Sequence, residues 1–470
     1  MTTQAQSPQA QSPQALTPQA IALNRFGLGA RPGDRVPDDP KRWLLDQFER
    51  FTVRPEGWPA PQEAREISQT YALAKAAMRG KPLEERQGPR RDLRLAANRM
   101  EEVTLAARLR SAAETTAPFI ERLTHFWSNH FAISTERAEV DVVAGSFELE
   151  AIRAHVLGRF EDMLQAVEHH PAMLIYLDQV LSIGPHSPLA TRVAERGKTA
   201  GLNENLGREI LELHTLGVRT GYTQADVTEN ALALTGWTVG GYGSRSNDAD
   251  PFAFQFRAVL HEPGTRTILG QRFDQPGEGQ AKAVLTMLAR ARATATHIAT
   301  KLARHFAGDD PPPAMVGRLA DAFNRSGGDL PTVYRALIDS PEAWVAQPTK
   351  FKSPWDWTVS AARALGPEML AGLRVVPTLT ELGQPIWKPG APAGYDDINQ
   401  RWAGPDALLR RAEMAPRFAS PFGDELDART LAPKLMPGSL SPGTATALAR
   451  AESATSALSL LLVSPDFLRR

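Results

Sequence analysis

The sequence contains no cysteine. That removes disulfides, thiolate-held zinc, cysteine-held iron–sulfur clusters and a cysteine nucleophile together. It also lacks an excess of either charge: 53 Lys and Arg stand against 53 Asp and Glu. A broad cationic surface for nucleic acid is therefore not expected, although a local patch is compatible with that balance. Long apolar runs are missing too. The most apolar stretch, 457–463, is far too short for a membrane span. The opening MTTQAQSPQAQSPQALTPQA has neither a basic segment nor an apolar one, so no signal peptide is visible. Its Gln, Ser, Pro and Ala cannot build a core, and residues 1–18 are expected to be disordered. As written, the sequence reads as cytoplasmic; a misassigned start would leave a periplasmic or exported protein open.

What is present suffices for a large core: 470 residues, 42% of them hydrophobic. Apolar positions recur mostly with helical spacing. The expected fold is mainly α, a multi-helix globular array with one small β-hairpin insertion, in a single domain over 19–470. Asp39-Pro40, Pro118 and Ser353-Pro354 read as helix starts. Residues 62–113 carry two helical patterns separated by breaks at Gly80/Pro82 and Gly88/Pro89. The arginines there, Arg108 among them, read as a solvated face or an anion-binding surface. Phe252, Phe254 and Phe256 alternate, and a second candidate strand at 265–269 follows a turn at His261-Glu-Pro-Gly264. Residues 383–405 form a Gly/Pro-rich loop with aromatic anchors, a kind of loop that often lines sites. Gly27, Gly29 and Gly33 do not make a dinucleotide fingerprint, since no strand precedes them and the spacing is wrong. Lys350 and Lys352 have no glycine-rich loop to make a phosphate site with.

Candidate chemistry concentrates in a few positions. In the stretch Gly201-Leu-Asn-Glu-Asn-Leu-Gly-Arg-Glu-Ile-Leu-Glu-Leu-His-Thr-Leu-Gly217, Leu202, Leu206, Ile210, Leu213 and Leu216 fall on one helical arc. Glu209 lies inside that arc and His214 at its edge, whereas Glu204, Arg208 and Glu212 are spaced as surface ion pairs. A carboxylate turned toward a core must be paired, ligated or protonated. His130 shares an apolar stripe with Ile120, Leu123 and Trp127. His125 lies on another side, with Arg122 and Asn129. Asp178 closes the run from Ala172 and reads as a turn residue or a group reaching a cleft. His261, at the tip of the expected hairpin, reads as a turn residue or as the rim of that cleft.

Several runs then resemble one family. They are the 201–217 stretch with Val218, Gly221-Tyr-Thr-Gln-Ala-Asp-Val227, Leu234-Thr-Gly-Trp-Thr238, Phe126-Trp-Ser-Asn-His-Phe131, Met173-Leu-Ile-Tyr-Leu-Asp178, Lys350-Phe-Lys-Ser-Pro354 and Leu382-Gly-Gln-Pro385. Together they are similar to the bacterial DUF1800 family, a family of unknown function, over about residues 20–469. The resemblance implies a mostly helical fold, and a protein partner resembling DUF1501 proteins, beside which such proteins are often encoded. It supplies no activity. Where the family often has histidine, this chain has Ser128, and Leu206 and Gly207 replace its usual Tyr and Ala.

Two classes of function follow. One is a non-catalytic helical scaffold or assembly protein working with a protein partner. The other is a hydrolase or oxidoreductase with a His/carboxylate cleft, with His130, Glu209, His214 and Asp178 as catalytic candidates. A divalent metal such as Zn, Mn or Fe could be held by His130, Glu209, His214 and His261. Their convergence on one open site would favour the enzyme.

Overall fold

The computed structural model describes residues 15–470, apart from 79, 242–251 and 424. Proline punctuates it. Pro40, Pro118, Pro171, Pro188, Pro354 and Pro442 each sit in the first turn of a helix. The fixed φ of proline suits that place, and its missing N–H has no partner to lose there. Asp39, Ser187, Ser353 and Ser441 cap four of these helices through their side chains. The result is a mainly helical array with small antiparallel strand pairs.

Two local expectations change. Leu83–Glu114 is a single helix that runs through Pro89 rather than stopping there. The penalty of an internal proline, about 3 kcal/mol, falls in an exposed early part of the helix, while the later turns bury Leu105, Arg108 and Leu109. The strands also pair differently. Trp237–Val239 pairs with Phe254–Phe256, and Arg266–Ile268 pairs with Gln271–Phe273, so the stretches around 254 and 267 do not face one another. Leu269 and Gly270 both take positive φ, 52° and 75°. That is the two-residue turn whose twist suits a hairpin, and it captures the nearer partner. The expected hairpin's first residues, 250 and 251, lie outside the described residues.

Thr223 and Asp226 form a complete capping box on Gln224–Leu234. Asp226 Oδ1 also accepts the Leu269 N–H at 2.6 Å, which ties the hairpin turn to this helix. Asp226→Ala is expected to cost about 1–2 kcal/mol in urea unfolding. No change in midpoint would show that the cap and the tie contribute nothing.

Beside a small cluster of Trp58, Ala107 and Leu149, most buried apolar residues from Ile21 to Leu468 form one connected cluster. The Pro118–His130 helix lies deep within it, with Phe119, Ile120, Leu123 and Trp127 each fully buried. A helix covered on nearly all sides must also pair its polar residues internally. Arg153 holds Glu121 through two bonds of 2.6 and 3.0 Å, and Ser128 donates to Glu148 at 2.9 Å. Near the N-terminal end, Thr17 donates to the Pro437 carbonyl and caps Pro18–Ala20, so 15–18 of the segment expected to be disordered are placed. The rest of that segment, 1–14, lies outside the described residues. Among the described residues no helix is long and apolar enough to cross a membrane.

Candidate functional site

The helix at the centre of the 201–217 stretch is regular only from Asn205 to Glu209 and widens to a π-helical turn over Ile210–His214. The wider turn shifts the phase of the apolar arc. Leu211 and His214 become buried, while Leu202, Glu209 and Leu213 are only half-buried. The carboxylate buried against His214 is Glu168, from Phe160–His169: its Oε1 lies 2.7 Å from His214 Nδ1. His130 is equally buried, its Nε2 lies 3.2 Å from the His214 carbonyl oxygen, and the two rings are 6.5 Å apart between centroids. His130 and His214 are therefore brought together.

The other candidates have other surroundings. Burial raises the Glu209 carboxyl, with His214 opposing. Asp178 adopts a left-handed turn, φ 59°, and pairs with Arg137 at 2.6 Å. His261 Nδ1 lies 2.8 Å from the Thr235 carbonyl oxygen, and the ring packs on Phe256. Among the described residues no three His, Asp or Glu side chains are grouped so that they could hold a metal ion.

The structure instead builds a cleft of about 340 Å³ beside the Pro118–His130 helix. That size accommodates a small organic molecule. One wall is the face of this helix that carries Arg122, His125 and Asn129. The second is Arg292–Ala307, which contributes His297, Lys301, Arg304 and His305. The third is the 383–405 loop, through Gln384, Trp387, Tyr395 and Asp397. Arg108, Trp355, Asp356 and Arg470 complete it. The loop is fixed to the first wall by an amide clamp. Asn129 Nδ2 donates to the Tyr395 carbonyl at 2.9 Å, and the Tyr395 N–H donates back to Asn129 Oδ1 at 2.8 Å. Gly394, at φ 80°, makes this approach possible, because a Cβ there would overlap the Asn129 carbonyl. Gly394→Ala should therefore detach this wall, and faster amide exchange confined to residues near 395 would show it.

The cleft walls hold more positive charge than they neutralise. Five cationic side chains line the cleft, Arg108, Arg122, Lys301, Arg304 and Arg470, against Asp356, Asp396 and Asp397. Arg108 Nε pairs with Glu148 at 2.8 Å, and the guanidinium stacks over Trp355 at 4.3 Å. Arg122 and Arg470 share one carboxylate, Asp356, at 3.1 and 3.4 Å. Burial pushes the Asp356 carboxyl up, but the two guanidiniums win and hold it at about 2. Asp397 is likewise shared, by His305 at 2.6 Å and Lys350 at 3.0 Å. Burial opposes its charge too, yet the His305 hydrogen bond and the charges of Lys350 and Arg470 hold its carboxyl well below the usual range. Among the described residues Lys301 and Arg304 have no carboxylate at ion-pair distance. Two buried guanidinium nitrogens in the same walls, Arg108 Nη1 and Arg122 Nη2, have no hydrogen-bond partner among the described residues. Leaving buried donors unpaired is costly, so a concentration of them marks a place where a partner belongs.

The sequence pattern of the family described as "Protein of unknown function (DUF1800)" matches residues 21–469. The chain belongs to the DUF1800 family. No curated protein and no solved structure matches it.

The cleft of this DUF1800 chain draws on residues that its sequence indicated only in part. The side of the 118–130 helix shared by Arg122, His125 and Asn129 was visible from spacing. The 383–405 loop was visible as a site-lining candidate. Lys301 and His305 went unread, although His297, Lys301 and His305 recur every four residues and so share one face of their helix. Arg108 was visible only as one of several arginines on a basic helix, and Asp356, Asp397 and Arg470 carried no local signal, since each enters the cleft through long-range packing. Lys350, the nearby lysine, is committed to Asp309 and Asp397.

Proposed function

We propose that this chain is an enzyme whose substrate is a small organic anion seated in the cleft. The observation that supports this is the excess of cationic side chains over carboxylates in walls that also contain unpaired guanidinium donors. Buried charge that lacks a counter-ion is unfavourable, and an incoming oxyanion supplies one. His305 adds a reactive group. Its Nδ1 faces Asp397 at 2.6 Å, an arrangement that orients an imidazole and fixes its tautomer. Burial pushes the His305 ring down to about 4 against the pull of Asp397, so it stands neutral at neutral pH, with Nε2 3.5 Å from an Arg470 guanidinium nitrogen.

The test is calorimetric titration at low ionic strength with pyruvate, oxalate, sulfate and phosphate. At least one carboxylate should bind saturably, weaken as salt rises, and lose tenfold or more in affinity in Arg304→Gln with the circular dichroism unchanged. If none of the probes saturates the cleft, the proposal fails. A helical scaffold for a protein partner, including one resembling DUF1501 proteins, would then be the better reading, tested by co-purification of the two chains.

A further inference from the structure

Lys301 differs from the other lysines around the cleft. Lys350 is held by two aspartates. Lys352 is buried, with its ammonium over the Phe467 ring at 4.3 Å. Lys301 lines the cleft, is half-buried, and among the described residues makes no hydrogen bond or ion pair. It stands on the Arg292–Ala307 helix one turn before Arg304 and His305, and one turn after His297. Burial pushes its ammonium down to about 8, with Asp397 opposing and Arg304 assisting. A desolvated amine beside other cations is the setting in which lysine becomes a nucleophile.

Resting on the anion-binding reading above, we propose that Lys301 forms an imine with a 2-oxo acid bound in the cleft. The carboxylate of such a compound is one bond from its carbonyl. A lysine one helical turn from an arginine can therefore meet the carbonyl while the arginine meets the carboxylate. The free Nζ lone pair adds to the carbonyl carbon, a C–N bond forms, and the carbonyl π pair moves to oxygen. Nitrogen gives up a proton and oxygen takes one, leaving a carbinolamine. Protonation of its hydroxyl expels water and leaves the protonated imine. No oxidant or reductant takes part. His305, opposite Asp397, is placed on the same helix face to move these protons.

Reductive trapping tests the assignment. The full chain is incubated with pyruvate and cyanoborohydride, digested, and mapped by mass spectrometry, with pyruvate binding followed separately by calorimetry. The expected result is one dominant reduced adduct, on the peptide containing Lys301. It should be absent in Lys301→Arg and suppressed by saturating oxalate, which has no ketone. Lys301→Met, with its circular dichroism checked, guards against arginine refilling the site. If pyruvate binds but adducts are spread over exposed lysines or spare Lys301, the imine assignment is overturned and the anion-binding reading stands. If no anion binds, both fall.

Discussion

Glu121→Ala is expected to lower the unfolding free energy by about 3–5 kcal/mol, because it strands a buried guanidinium. Glu121 and Arg153 are each about 1% exposed and face one another through two hydrogen bonds. Arg153 also donates to the Thr52 and Val53 carbonyls, so it remains hydrogen-bonded in the variant but loses the one carboxylate that pairs with it among the described residues. The chemistry separates the two contributions. Removing one partner leaves a charge without water or counter-ion, whereas removing both leaves only a packing problem. Glu121→Leu combined with Arg153→Met should therefore recover most of the loss. Urea unfolding followed by circular dichroism would measure both variants. A single-variant loss of about 1 kcal/mol or less, the range of an exposed pair, would mean that water reaches Arg153.

Acid should unfold the chain well before its carboxylates are exhausted. Burial, the largest cause in each case, holds His125 and His130 well below the usual imidazole range, lowers His170 to about 3, and lowers His297 and His305 to about 4. Two of these rings accept a hydrogen bond that needs the neutral form. His125 Nδ1 takes the Trp355 indole N–H at 3.1 Å, and His170 Nδ1 takes the Ala172 N–H at 3.1 Å. Once unfolded, all of these rings titrate near 6.5, so below that pH the unfolded chain binds protons that the folded chain refuses. Stability is thus intact above about pH 6.5 and is lost as the pH falls toward 4. Three carboxyls oppose this: burial and Glu101 raise Asp141 to about 7, and burial raises Glu150 and Glu209, which favours the folded chain in acid, but they stand against five imidazoles. Each proton taken up on unfolding contributes a slope of about 1.4 kcal/mol per pH unit, and at least two should be seen between pH 6 and 5. Urea unfolding across pH 7.5 to 4.5 gives the slope. A flat profile from pH 7 to 5 would show that these rings titrate normally in the folded chain.

Local rules carried the sequence reading furthest. Helix starts at Pro40, Pro118 and Pro354 each follow from a few adjacent residues. The mainly helical class followed from spacing alone. The π-helical turn at 210–214 was not legible, because nothing in Ile-Leu-Glu-Leu-His distinguishes it from regular helix. Regular helical spacing places Glu209 on the core side, whereas the carboxylate beside His214 is Glu168, forty-six residues earlier. The cleft was legible only where its residues share a helix face or a loop. Its ion pairs join positions such as 122 with 356 and 305 with 397, and no periodicity reports such partners.

The amide clamp between Asn129 and Tyr395 spans 266 positions, and the contact of Arg470 with the Arg25 carbonyl spans 445. Closing loops of that length carries an entropic cost that must be met before such contacts reward it. Assembly of the cleft is therefore expected late in folding, and partly folded chains should present no binding site. The same wiring makes any occupant a fastener for the whole chain: a ligand bound there holds together segments near residues 108, 122, 301, 397 and 470, so its binding free energy opposes global unfolding rather than local fraying.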